Sequence, residues 1–227
     1  LASASAHFKF YGKSSHAAFA PEVGRSALDA VELMNVGVNY LREHVTSKAR
    51  IHYTTDSGGF SPNIVPPRAG SWYFVRAPHI SEVKEILERV RKVAEGACLM
   101  TETSMEMKID YGCCELLENH AYADLAYENL KEAKLPSYTE EELAFASKLE
   151  DTLSGETVEN ARKLYDTEGL PLAMKVGIRD LYQRNPLTAS SDSGDVSYIM
   201  PMCLISTVCW PAAVSPHTWQ ASASAGS

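Results

Sequence analysis

The chain has 227 residues, 45% of them hydrophobic and 22% charged, the balance of a globular protein with room for one large domain or two small ones. A formal net charge of −8 argues against a nucleic-acid surface, and no apolar run is long enough to cross a membrane. The five cysteines, odd in number and without zinc-knuckle spacing, point to reduced thiols in a cytoplasmic protein.

Residues 1–6 are small and of low complexity and read as a linker or flexible edge. From His7 to Tyr11 polar and apolar residues alternate, which predicts a strand with Phe8 and Phe10 on one face. Gly12 turns the chain into a loop where His16 stands among small residues. From about Ser26 to Val45 the positions Ala27, Val31, Met34, Val38, Leu41 and Val45 form one stripe of a helix. Residues 50–55 alternate again and predict a second strand. A breaker-rich loop, Asp56 to Pro62, follows it. Trp72, Tyr73, Phe74 and Val75 predict a strand buried on both faces and ended by Pro78.

From about Ser81 to Leu99 the stripe Val83, Ile86, Leu87, Val90, Val93, Ala94 and Ala97 predicts a helix. Its outer face carries the pairs Glu85–Arg89 and Glu88–Lys92. Met105, Met107, Ile109 and Tyr111 alternate with polar residues in the cleanest half-buried strand of the chain. Strand–helix–strand–strand–helix–strand is the ferredoxin-like βαββαβ order, an antiparallel sheet with two helices on one face, over residues 7–112.

After Gly112 the pattern weakens. Helices are predicted over about 119–134, 140–149 and 155–165, and short buried strands at Val196–Met200 and Cys203–Val208. Periodicity from Gly169 to Thr188 is weak. The tail from Ala221 to Ser227 again reads as a flexible edge. Residues 113–227 hold no complete repeating unit and read as part of a larger domain. Ile199, Leu204, Ile205 and Trp210 are expected to be exposed there.

Five constellations carry chemistry. His16, on a loop held by a rigid frame, is either a surface residue or an imidazole presented for oxyanion stabilisation. Asn63 in Asn63-Ile64-Val65-Pro66 is either a turn residue or an amide that holds a polar ligand group. Arg76 ends a dry strand and needs an anionic partner, a protein or a substrate carboxylate. Asn63 and Arg76 flank a two-strand connection, so both are expected at the same end of one sheet. Asp192 and Asp195 either serve a metal or substrate amine or cap a turn. His217, after a proline-rich loop, is a candidate zinc ligand.

In order along the chain, these pieces resemble the dinuclear-zinc aminoacylase and glutamate-carboxypeptidase family. The run Gly12-Lys13-Ser14-Ser15-His16-Ala17-Ala18, with Pro21-Glu22 and Gly24-Arg25-Ser26-Ala27, is similar to the start of that family's lid domain. So are Ser61-Pro62-Asn63-Ile64-Val65-Pro66, Val75-Arg76-Ala77-Pro78 and Ala94-Glu95-Gly96-Ala97. Glu141 to Ala146, Asp192 to Ser197 and His217-Thr218-Trp219-Gln220 extend the likeness through the second half.

The resemblance implies an α/β (α+β) protein: a lid and dimerisation domain over 7–112, and an incomplete α/β zinc-hydrolase catalytic domain over 113–227. It implies a metal-dependent amidohydrolase acting on a small-molecule amide, an N-acyl amino acid or an aminobenzoyl-glutamate-like compound. Two zinc ions, or manganese or cobalt, are its implied cofactors. It implies a homodimer formed through the lid, with His16 stabilising the oxyanion in the partner's site. Asn63 and Arg76 match residues that bind the substrate's carboxylate end, and His217 matches the last zinc ligand. No metal role carries over to Asp192 or Asp195.

In that family the N-terminal half of the catalytic domain precedes the lid and supplies most metal ligands, while these residues begin just before the lid. The expectation is therefore that the 227 residues form no complete dizinc site and hydrolyse nothing alone. The rival expectation is a non-catalytic ferredoxin-like module for dimerisation or amino-acid binding.

Overall fold

The alternation that starts at His7 reaches further back than hydrophobicity alone reveals. In the structure, a computed structural model that describes residues 1–133, 137–165, 190–205 and 209–225, strand β1 runs Ala2–Tyr11. Residues 2–6, expected as a linker, are its first half and are buried almost completely. The reason is packing: β1 is a central strand, flanked by strands on both edges and covered by helices. Alanine at 2, 4 and 6 fits that core, although it carries little hydrophobic contrast in the sequence.

β1 pairs antiparallel with β3 (Arg68–Ala77) from Ala2↔Ala77 to Tyr11↔Arg68. Its other edge pairs antiparallel with β4 (Ser104–Cys113), and β2 (Arg50–Ser57) pairs antiparallel with β3. The sheet order is β2-β3-β1-β4. Helices α1 (Ala27–Leu41) and α2 (Ile80–Thr101) complete the βαββαβ order that the periodicities predict. Their buried stripes form one core with the sheet: Val31, Met34, Val38, Val83, Ile86 and Val90 with Phe8, Phe10, Tyr73 and Val75. Ser26 caps α1 by accepting from the Asp29 amide, 3.1 Å. On the outer face of α2, Glu88 pairs with Arg91 rather than Lys92, and Arg89 donates to the His44 carbonyl rather than meeting Glu85.

Two strands depart from expectation. β3 is fully buried at Ser71, Tyr73 and Val75, but Trp72, Phe74 and Arg76 are half-buried on the face away from the helices. That open face is an aromatic row. His7 stacks on Trp72 at 5.0 Å, and the Trp72 Nε1–H donates to Ser5 Oγ, 2.7 Å. In β4 the register shifts between Ser5 and Ala6, so Ile109 faces Ala6 and Tyr111 faces Ser5. The bulge sends Tyr111 to the open face beside Phe74, 5.9 Å away, and both Ile109 and Tyr111 are exposed at this edge.

The first compact unit contains Leu1–Glu118 and Pro186–Met202. In it, Val196–Met200 is not a strand. Helix α6 covers Ser193–Ser197 and runs into a turn. It is pinned by the segment after β4: the Cys114 amide donates to Asp195 Oδ1, 2.9 Å, and the Leu117 amide to Ser197 Oγ, 2.8 Å. A Cβ on Gly194 would lie 2.0 Å from the Cys114 carbonyl oxygen, so only glycine allows this approach.

The second unit contains Asn119–Asn185 and Cys203–Ser227. Among its described residues the helices are α3 (His120–Glu132), α4 (Glu140–Glu150), α5 (Gly155–Tyr165) and α7 (Trp219–Ala225). Asn119 caps α3, and Thr139 with Glu142 makes a full capping box on α4. The tail expected to be flexible is helical as far as Ala225. Residues 203–205 have no regular structure, while 206–208 and the Gly169–Thr188 stretch lie outside the described residues. Ile199, Leu204 and Ile205 are exposed as expected, and Trp210 is half-buried.

Candidate functional site

The loop that presents His16 is closed at its neck. Gly12 donates its amide to the Pro67 carbonyl, 2.9 Å, and Lys13 and Arg25 exchange two backbone hydrogen bonds of 2.8 Å. A Cβ on Gly12 would lie 2.0 Å from the Arg25 carbonyl oxygen, which explains the glycine. Beyond the neck, His16 forms a β-bridge with Ile64. The Ala17 amide donates to the Asn63 carbonyl and the Val65 amide to the Ser15 carbonyl, both 2.9 Å. The loops carrying His16 and Asn63 are thus stitched together at one end of the sheet.

The chemistry of the two side chains follows from their partners. His16 Nδ1 accepts from the amides of Ala18, 3.2 Å, and Phe19, 3.1 Å. An Nδ1 that accepts carries no proton, so the neutral ring carries its proton on Nε2 and offers a donor there. Asn63 Oδ1 accepts the Ser61 hydroxyl at 2.5 Å, which leaves the amide nitrogen as its free group. Both residues are exposed, as are the rings of Phe19 and Phe60, and Phe19 stands edge-on to the His16 ring at 6.4 Å.

Arg76 is elsewhere. β3 begins at Arg68, opposite Tyr11, and ends beyond Arg76, opposite Ser3 and Arg50. Eight residues of strand at ~3.3 Å each separate the two ends by about 26 Å. Asn63 and Arg76 therefore lie at opposite ends of the sheet, not at the same end. The strand that begins just after Asn63 carries the chain away before Arg76 is reached. At its end Arg76 Nε is buried without a hydrogen-bond partner, and the guanidinium lies 5.9 Å from the Phe74 ring. Among the described residues, Arg42 and Arg50 nearby donate to backbone carbonyls only. Burial, then the charges of Arg76, Arg42 and Arg50, lowers the proton affinity of His52. This corner is positive in a chain of net charge −8.

Of the remaining candidates, Asp195 accepts from the Cys114 amide and Asp192 from Ser191 Oγ, which is the turn-capping reading of that segment. His217 is exposed and left-handed at φ 63°, in the turn before α7. Among the described residues no three His, Cys, Asp or Glu side chains converge as a metal site would require.

Sequence reasoning misses Ser61 and Glu115. A serine two residues before an asparagine in a breaker-rich loop is the available signal for the first. Glu115 gives none, because its partners are remote. It accepts from the Ile80 amide and the Tyr198 hydroxyl and contacts His79 Nδ1, each at 2.9 Å. Burial pushes its carboxyl upward, but those bonds and its own backbone amide outweigh this and hold it at about 2.

A four-stranded antiparallel sheet, helices on one face and a donor-bearing loop pair at one end define the class. Residues 2–100 match the peptidase dimerisation domain, M20_dimer, and this part of the chain belongs to that domain family, as the motifs of its first half imply. It is 39% identical over 233 residues to one of the subunits of p-aminobenzoyl-glutamate hydrolase from Escherichia coli, covering 97% of this chain and 48% of that protein. It is 28% identical over 193 residues to a mouse Xaa-Arg dipeptidase, covering 85% of this chain and 36% of the relative. Among solved structures, an aminobenzoyl-glutamate utilization protein from Klebsiella pneumoniae shares the fold at TM-score 0.50 and 24% identity, over 56% of this chain and 32% of that one. The chain spans about half the length, or less, of the curated relatives it matches.

Proposed function

We propose that this chain is the dimerisation lid and the C-terminal catalytic portion of a metal-dependent amidohydrolase. Its substrate is an N-acyl amino acid with a free carboxylate, of the p-aminobenzoyl-glutamate type. The observation that carries the reading is the stitched pair of outward donors, His16 Nε2–H and the Asn63 amide, on an exposed rim. When an amide carbonyl is attacked, negative charge collects on its oxygen, and a preorganised N–H is what stabilises it. Asn63 and Arg76 are the proposed carboxylate binders.

Two zinc ions, or manganese or cobalt, are the cofactors of this reading, and His217 is the one ligand it takes from this chain. One exposed histidine does not hold two metal ions, and no group of three metal-ligating side chains occurs among the described residues.

The donor pair and Arg76 lie at opposite ends of β3, whose span from Arg68 to Arg76 is about 26 Å at ~3.3 Å per residue, and this separation supports a homodimer. β2 is an edge strand, and α1 beside it exposes Leu33, Val36 and Tyr40 at helical spacing. Two-fold antiparallel pairing along β2 brings the His16–Asn63 end of one chain beside the Arg76 end of its partner. Each site is then built from both chains.

The test is hydrolysis of p-aminobenzoyl-glutamate by the complete metal-loaded protein that carries this chain. His16→Ala lowers kcat by roughly 10²–10³, the cost of one oxyanion donor. The 227-residue chain alone, with zinc added, releases no product. Hydrolysis by the isolated chain, or an unchanged kcat in the variant, contradicts the proposal. An unchanged kcat would favour the non-catalytic dimerisation or amino-acid-binding module.

A further inference from the structure

We infer that Ser61 is a positioning residue whose hydroxyl turns the Asn63 amide, so that the rim offers only donors to a carboxylate. A primary amide has a donor end and an acceptor end, and which end meets the ligand decides the sign of the interaction. The Ser61 hydroxyl donates to Asn63 Oδ1 at 2.5 Å, which occupies the acceptor end and leaves the nitrogen outward. His16 is arranged the same way, its Nδ1 occupied by the amides of Ala18 and Phe19.

Both acceptor atoms of the pair are thus satisfied by donors within the two loops, and both free groups are N–H. Such a rim suits an anionic oxygen and repels an ammonium group. The main chain around Ser61 is itself set, because the Ile64 amide donates to the Ser61 carbonyl at 3.1 Å and Asn63 is bridged to Ala17. The serine side chain therefore has one evident task, the orientation of the amide two residues on. With alanine at 61 the amide is free to turn its oxygen toward the ligand.

The inference rests on the reading that Asn63 binds the substrate carboxylate, and the test separates the two. Steady-state kinetics with p-aminobenzoyl-glutamate are measured on the complete metal-loaded protein carrying Ser61→Ala, Ser61→Thr, Asn63→Ala or Ser61→Ala with Asn63→Ala. Ser61→Ala raises KM by roughly 3–10-fold, the size of one hydrogen bond, and leaves kcat within about twofold. Ser61→Thr keeps the hydroxyl and restores KM. In the Asn63→Ala background the loss of Ser61 has no further effect.

If Asn63→Ala raises KM and Ser61→Ala does not, the inference fails and the Asn63 reading stands. If Asn63→Ala leaves KM unchanged, both fail. Effects that multiply in the double variant, or a Ser61→Ala defect that threonine does not rescue, show a merely structural role and overturn the inference.

Discussion

The sheet unit and the helical unit differ in how their apolar side chains are used. In the sheet unit the large residues Phe8, Phe10, Met34 and Tyr73 are wholly buried in one core. Among the described residues of the helical unit the buried apolar residues are mostly small, Ala146, Ala161, Ala213 and Val214 among them. There Tyr122, Leu125, Phe145 and Trp219 are exposed. Burial of a large side chain stabilises by roughly 1.5–3 kcal/mol, so the sheet unit gains more from its large side chains than the described residues of the helical unit do. The lesson is that capping and propensity set a helix such as α4, with its capping box, even where few large apolar side chains among the described residues are buried beside it.

The contrast can be broken most forcefully by truncating one phenylalanine in each unit. Phe8→Ala costs about 3–5 kcal/mol in chemical denaturation, because it leaves a cavity in a closed core. Phe145→Ala, on a half-exposed ring, costs about 1 kcal/mol or less. Equal costs would mean that the helical unit has a core of its own.

A pH titration sharpens the account of the sheet unit. The Glu115 carboxyl is held at about 2, below its ordinary 4.5. A depressed carboxylate stabilises the fold above its unfolded pKa, and that stability drains away as pH falls through the folded value. About 3 kcal/mol is therefore lost between roughly pH 5 and pH 2, and Glu115→Gln removes both the stability and that part of the pH dependence. An unchanged acid profile in the variant would contradict this.

The smallest expected effects come from the caps. Ser26→Ala and Thr139→Ala each remove one N-cap hydrogen bond worth about 1 kcal/mol. Ser26→Ala lowers the global stability of the sheet unit. Thr139→Ala changes only local amide exchange in α4. Exchange that rises throughout both units in either variant would remove the distinction.

The same contrast decides what can be read from residues alone. α1 and α2 are legible because a stripe such as Val83, Ile86, Val90 and Ala94 repeats against a core that exists. The first half of β1 is not, because alanine alternating with serine buries well yet carries little hydrophobic contrast. Tyr111 changes face through a bulge, which a period of two does not encode. The apolar run Val196–Met200 has the composition of a strand, but hydrogen bonds from the remote Cys114 and Leu117 fix it as helix and turn.

Of the candidate site, His16 and Asn63 are legible as motif residues. Their joining by a bridge, the fixed His16 tautomer and the hydroxyl of Ser61 need three dimensions. The distance to Arg76 is not legible, because a residue count between two positions says nothing of the direction in which the strand departs.

The central claim, that one chain's His16 serves the site holding its partner's Arg76, has a direct test in complementation between protomers. His16→Ala and Arg76→Ala are each made in the complete protein, where each homodimer lacks an essential group at both sites. Unfolding and reassembling an equal mixture gives half mixed dimers, each with one intact site. The account predicts recovery of roughly a quarter of the unmodified activity. A mixture no more active than its two parents would place His16 and Arg76 in the service of the same chain and contradict it.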